Sequence, residues 1–298
     1  MITRRNFLKS AVGLLASSAL LPEAFAAESF SAEAKKKQIG LQLYSVRNEI
    51  SRDFMGTLQQ LAKIGFPHLE AASYSNGKFY GRDPKEFQKI LADMGMRLSG
   101  SHTGSGLLAP NDQQGWDFWK QNMAATVETG AEWIVQASYP EGQLKTIADV
   151  KRLAEQFNKL GEMAKAHKLR FAFHNHVTEF HPLDGELPYD VMLQNTDPKL
   201  VTFQMDTCQV LLGGGDCVAY VNKYPGRFAN WHLKDAHKEK NESTEFGKGR
   251  NDFESLFAVS KKAGLSIYYI EQEAYTVPPL EAVAHDYNFL MNAKYVKW

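Results

Sequence analysis

From Gln38 onward, short apolar runs alternate with segments whose apolar residues recur every three or four positions. The runs are "QIGLQLYS" (38–45), "HLEAASY" (68–74), "MRLSGSH" (96–102), "AEWIVQAS" (131–138), "LRFAFHNH" (169–176), "LVTFQMD" (200–206), "FANWHLKD" (228–235) and "LSIYYIEQE" (265–273). They are rich in β-branched and aromatic residues and read as strands. The segments between them, 54–65, 83–95, 111–130, 144–168, 187–196, 216–224 and 252–264, read as helices, and 279–296 closes the chain. The second helix carries its own punctuation, with Asp83 as cap, Pro84 at the first position and Gly95 at the end.

Eight strand–helix units in a row predict parallel βαβ connections. With near-continuously apolar strands, the expected architecture is a single (β/α)8 TIM barrel over residues 38–298. A dinucleotide-binding sheet would need a glycine fingerprint after the first strand, where "LYSVRNEI" stands instead. No Pro/Gly/Ser-rich stretch divides the segment.

The residues before the barrel follow a different pattern. "TRRNFLK" (3–9) is basic, "SAVGLLASSALL" (10–21) is apolar, and Ala24 and Ala26 take the small positions of a cleavage site. The Arg4-Arg5 pair resembles a twin-arginine export signal over 1–26, with 27–37 as a lead-in. That reading implies a periplasmic protein handled by the twin-arginine export machinery. It leaves no stable membrane span after cleavage, because the apolar run is too short. The chain has 34 Lys and Arg against 34 Asp and Glu, so no overall field would hold nucleic acid. An oxidising compartment permits a disulfide, but Cys208 and Cys217 are expected as free thiols, since a domain of this size needs no staple.

In such a barrel, function belongs at the C-terminal ends of the strands. Polar residues gather there: Glu70 in the second strand, His102 in the third, His174 and His176 in the fifth with Glu179 just beyond. Asp206 ends the sixth, His232, Lys234 and Asp235 the seventh, and Glu271 and Glu273 the eighth. Core packing does not call for charge on four consecutive strands, since buried charges must be paired or bound to a cation. Alternation places His174 with His176, His232 with Lys234, and Glu271 with Glu273, each pair on one face. Two or three carboxylates with one or two imidazoles suit Mn²⁺, Zn²⁺, Fe²⁺ or Co²⁺ better than Ca²⁺.

The ordered pieces "GLQLYSVR", "HNHVTEF", "QMDTCQ", "NWHLKD", "FGKGRNDF" and "IEQE" resemble the xylose isomerase-like barrels: sugar phosphate isomerases/epimerases, inosose dehydratases and endonuclease IV. The resemblance implies one divalent ion, expected as Mn with Zn, Fe, Co or Mg as alternatives. Its implied ligands are Glu179, Asp206, His232 and Glu271. Many relatives carry the first glutamate at the strand end, where this chain has His174, so His174 is the alternative to Glu179. Epimerase relatives often have a histidine where this chain has Gln209, so that imidazole is missing here or replaced by His176 or His102.

The expected function is a metal-dependent isomerase, epimerase or lyase acting on a keto-sugar, inosose or 3-keto-glycoside through a metal-stabilised enediolate. Glu179, Glu271, His176 and Lys234 are the expected catalytic groups. Glu70, His102, His174 and Glu273 are expected to bind substrate. A carbohydrate-binding barrel without turnover is the alternative; an endonuclease would need a basic face and more metal ligands. An oligomer stays open. His181, His237 and His68 read as loop or structural residues, Trp116, Trp119 and Trp133 as core, and Asp252 as a helix cap. Asp235 either contacts substrate or has a structural role, pairing with Lys234 or capping its loop.

Overall fold

Alternation along each strand splits the molecule into two packing zones. In the fifth strand, Phe171 and Phe173 join the main apolar core between strands and helices, whereas Ala172 belongs to a separate small cluster with Trp133, Val135 and Ala229. Outward residues thus bind the helices, and inward residues fill the barrel or line its mouth. The computed structural model describes residues 38–109, 111–138 and 142–296. The export signal and lead-in expected over 1–37 lie outside the described residues.

Eight parallel strands close into one barrel: β1 Gly40–Gln42, β2 His68–Ala71, β3 Arg97–Thr103, β4 Trp133–Gln136, β5 Arg170–His174, β6 Val201–Asp206, β7 Asn230–Leu233 and β8 Ile267–Ile270. Each pairs with its neighbours in sequence, and β8 returns to β1 with Gly40 opposite Tyr269. The strands are shorter than the apolar runs suggest. The first run turns at Leu43 into a 3-10 helix, Leu43–Val46, whose Ser45 Oγ accepts from Gln272 N at 3.1 Å and so ties the loop after β8 to the loop after β1.

The longest helix among the described residues, Ile147–Ala166, starts in a capping box between Thr146 and Asp149. It buries Val150, Leu153, Ala154, Phe157, Leu160 and Ala164, a stripe at three- and four-residue spacing. Phe157 stacks on Phe173 of β5 at 4.8 Å between centroids. Burying a side chain of this kind contributes on the order of 2 kcal/mol. Asp252 caps Phe253–Ala258 through Ser255 N, as the sequence predicts. Trp119 and Trp133 are buried and Trp116 is partly so. Both cysteines are free and buried. Two short hairpins, Tyr74–Ser75 with Lys78–Phe79 and Asp235–Ala236 with Ser243–Thr244, were not legible in the periodicity.

Candidate active site at the barrel mouth

Strand register brings the inward polar residues to one level. His174 stands opposite Gln204, Asp206 opposite His232, and Gln42 opposite Glu70. They form a buried network. Glu70 accepts from Gln42 Nε2 at 2.6 Å and Gln204 Nε2 at 2.8 Å, and contacts His232 Nε2 at 2.6 Å. His232 Nδ1 lies 2.8 Å from Glu271 Oε2. Lys234 Nζ then joins three carboxylates, Asp206 at 2.7 Å, Glu271 at 3.0 Å and Glu273 at 3.1 Å. Gly100 makes room beneath, since a Cβ there would come within 2.9 Å of Glu70 Oε1.

Electrostatics follows from these contacts. Burial alone would lower the pKa of His232, but the charges of Glu271 and Glu70, with hydrogen bonds to both, raise it to about 10. Burial likewise opposes the charge on Lys234, yet Asp206, Glu271 and Glu273 hold it well above the usual lysine range. Glu271 is opposed by burial too and held well below the carboxylate range by Lys234 and His232. The remaining imidazoles go the other way. Burial lowers His102 to about 4 and lowers His176, and burial with three neighbouring imidazoles takes His174 well down. These three are neutral at pH 7.

One ligand atom from each of His174, Asp206, His232 and Glu271 lies within 4.8 Å of the others, and the same holds for His102, His174 and His232. Gln204 fixes the His174 tautomer. Its amide nitrogen is committed to Glu70, so its oxygen faces His174 Nδ1 at 3.1 Å and takes that proton. The lone pair on His174 Nε2 is left toward Asp206 Oδ2, 3.7 Å away. That oxygen has no well-aligned hydrogen bond, while Oδ1 caps the helix Thr207–Leu212 through Gln209 N. With His232 Nε2 held by Glu70, its Nδ1 can serve as a ligand, the usual arrangement in which an outer carboxylate orients a metal-binding imidazole. Two imidazole nitrogens and two carboxylates fit a Mn, Zn, Fe or Co ion.

Above this floor lies a cavity of about 460 Å³ lined by Tyr44, Tyr74, His102, His174, His176, Glu271 and Glu273 among others. Two of the expected site residues meet other partners in this structure. Glu179 is buried, but it is not in the cluster; its Oε2 accepts from His176 N at 2.7 Å, because the chain folds back after β5 into the 3-10 helix Val177–Phe180. His174 stands where a strand-five ligand is expected. Glu70, expected to touch substrate, is fully buried and absent from the cavity lining; it orients His232 instead. His181 is exposed, and His68, paired with Gln38 at 2.6 Å, belongs to the strand-start end.

Several supporting residues escape the sequence reading. Gln42 and Gln204 hold Glu70, and Thr207 Oγ1 donates to Lys234 O at 2.8 Å. Gln204 was discoverable, since it shares a strand face with Asp206. Asp235 settles as the cap of its loop: its carboxylate accepts from Gly247 N, Gly249 N and Asn251 N, each at 3.0 Å. Asn251 Nδ2 in turn donates to Lys234 O at 2.6 Å, so the "FGKGRNDF" loop braces the lysine.

The chain matches the family described as Xylose isomerase-like TIM barrel over residues 58–293. Inosose dehydratase of Clostridium beijerinckii is 30% identical over 82% of this chain and 89% of its own length. Inosose dehydratase of Geobacillus thermodenitrificans is 25% identical over 81% and 87%. A solved sugar phosphate isomerase/epimerase from Parabacteroides distasonis superposes with a TM-score of 0.78 at 27% identity, covering 88% of this chain and all of the other.

Proposed function

The chain belongs to the xylose isomerase-like TIM barrel family, and we propose that it is a divalent-metal-dependent enzyme that removes the proton α to a carbonyl in a keto-sugar, inosose or 3-keto-glycoside. The enzyme acts on a carbohydrate, by isomerisation, epimerisation or elimination. One observation carries this reading: His174, Asp206, His232 and Glu271 converge at the floor of a polar cavity large enough for a sugar ring. His174, Asp206, His232 and Glu271 would hold a divalent ion, which would supply a Lewis acid for carbonyl and hydroxyl oxygens.

The chain's own residues do the rest. His176 lines the cavity, is neutral at pH 7 and is the base that accepts the α-proton. Glu179 fixes the backbone at His176 N and so positions that base. Lys234 is the positive group that offsets charge developing on the substrate oxygen. His102 and Glu273, which also line the cavity, bind hydroxyls. Export through the twin-arginine route belongs to the same reading, and an oxidised glycoside reaching the periplasm suits it. An R4K/R5K variant should stay in the cytoplasm on cell fractionation; periplasmic recovery would refute export by that route.

Elemental analysis with NMR-monitored exchange from D₂O tests the function. We expect near-stoichiometric Mn, Zn, Fe or Co, lost in Asp206→Ala and His232→Ala, and deuterium at the carbon α to the carbonyl of at least one keto-sugar, inosose or 3-keto-glycoside. Metal without exchange on any of them would sink the catalytic reading.

A further inference from the structure

Lys234 presents a conflict that the metal reading must resolve. Its ammonium lies 2.7 Å from Asp206 Oδ2 and 3.0 Å from Glu271 Oε2. These belong to the two carboxylates in the candidate ligand set. The side chain is 1% exposed, so water does not dilute the contact. An ammonium and a divalent ion cannot both lie between two carboxylates at such distances, because their repulsion in a poorly screened site is severe. A third contact offers the way out. Glu273 Oε2 is 3.1 Å from the same nitrogen, and its side chain is 36% exposed at the cavity rim. The backbone of Lys234 stays fixed by Thr207 and Asn251, so only the flexible stem has to turn. Glu273 is held too, its backbone N donating to Ser243 Oγ at 3.0 Å.

We propose that Lys234 is the site's resident cation, bridging Asp206 and Glu271 until a divalent ion displaces it, and that Glu273 receives the displaced ammonium. The inference rests on the metal reading above. Without the ion, Lys234 keeps two buried carboxylates from repelling each other; with it, Lys234 moves toward the cavity rim and faces substrate. The arrangement trades metal affinity for a folded metal-free state.

Calorimetric titration with Mn²⁺ of chelator-treated, full-length protein, paired with thermal unfolding, tests it. Lys234→Met should unfold several degrees lower without metal, bind Mn²⁺ at least tenfold more tightly than wild type, and regain the lost degrees at saturating Mn²⁺. A lysine with only a packing role would cost stability with no gain in affinity. One acting only by distant repulsion would raise affinity with no cost in stability. Either result overturns the proposal. Glu273→Gln supplies a variant of a partly exposed residue in case Lys234→Met does not fold. It should weaken Mn²⁺ binding by about threefold or more while lowering the metal-free Tm by less than Lys234→Met does, since Asp206 and Glu271 still hold the ammonium, and unchanged binding counts against the proposal. Where both fold, the weakening should vanish in the Lys234→Met/Glu273→Gln double variant, and a full additive loss there refutes the relay between the two residues. No Mn²⁺ or Zn²⁺ binding by wild type or variant would sink the metal reading itself, whereas binding by wild type with no gain in Lys234→Met sinks only the displacement.

Discussion

Replacing Glu70 by Gln keeps the shape of the side chain and removes its charge, which isolates what that charge does. Its two oxygens face three donors: Gln204 Nε2 on one, Gln42 Nε2 and His232 Nε2 on the other. A glutamine must point its own NH₂ at one of these sets, so at least one donor meets a donor. Gln204 cannot flip to help without losing its acceptor contact to His174 Nδ1. The magnitude follows from His232. Raising an imidazole from 6.5 to about 10 corresponds to about 5 kcal/mol in all. Burial opposes that shift, and Glu271 and Glu70 together overcome it; removing one charged hydrogen-bond partner of a buried group costs on the order of 2 kcal/mol. A frustrated buried hydrogen bond adds about 1 kcal/mol. About 3 kcal/mol should lower Tm by roughly 6–12 °C in a domain of this size.

The pH dependence gives the sharper check. The folded pKa of His232 lies above its unfolded value, so its contribution is fully present below about pH 6.5 and is lost as pH rises through 10. The Glu70→Gln deficit in chelator-treated protein should therefore be largest near pH 6.5 and shrink toward pH 10. Thermal unfolding at matched scan rates across that range measures it. An unchanged Tm at pH 6.5, or a deficit that persists undiminished at pH 10, refutes the charged Glu70–His232–Glu271 chain.

Asp286 is fully buried; Oδ1 accepts from Phe246 N at 2.8 Å, Oδ2 has no hydrogen-bond partner among the described residues, and burial raises the carboxyl to about 8. Such a group favours the fold only while protonated, so Asp286→Asn should gain on wild type by up to about 1.4 kcal/mol per pH unit between pH 4 and 8, then level off; a difference in stability flat across that range would contradict this. Gly249→Ala would place a Cβ 2.1 Å from Asp235 Oδ1 and 2.4 Å from Ala236 O. It should cost about 1–3 kcal/mol and loosen the brace on Lys234, seen as a lower urea midpoint with faster amide exchange at Asn251; wild-type values at both would refute the brace.

The sequence by itself determined the barrel, because period two in the strands and period 3.6 in the helices are local properties repeated eight times over. It also determined which residues gather at the mouth, since alternation and the strand-end rule need no tertiary knowledge. Asp206, His232 and Glu271 were legible in this way. Tertiary structure decided what each charge faces. Glu179 read as a ligand because it is the only acid near the end of strand five, yet a single 3-10 turn returns its carboxylate to His176 N. Glu70 read as a substrate contact because it ends a strand, yet the register with Gln42 and the reach of Gln204 close it under His232. The ammonium of Lys234 lies between two candidate ligands only because β6, β7 and β8 are neighbours in a closed barrel. Residue type and strand position are written along the chain; distances of about 3 Å between groups from different strands arise only when the barrel closes.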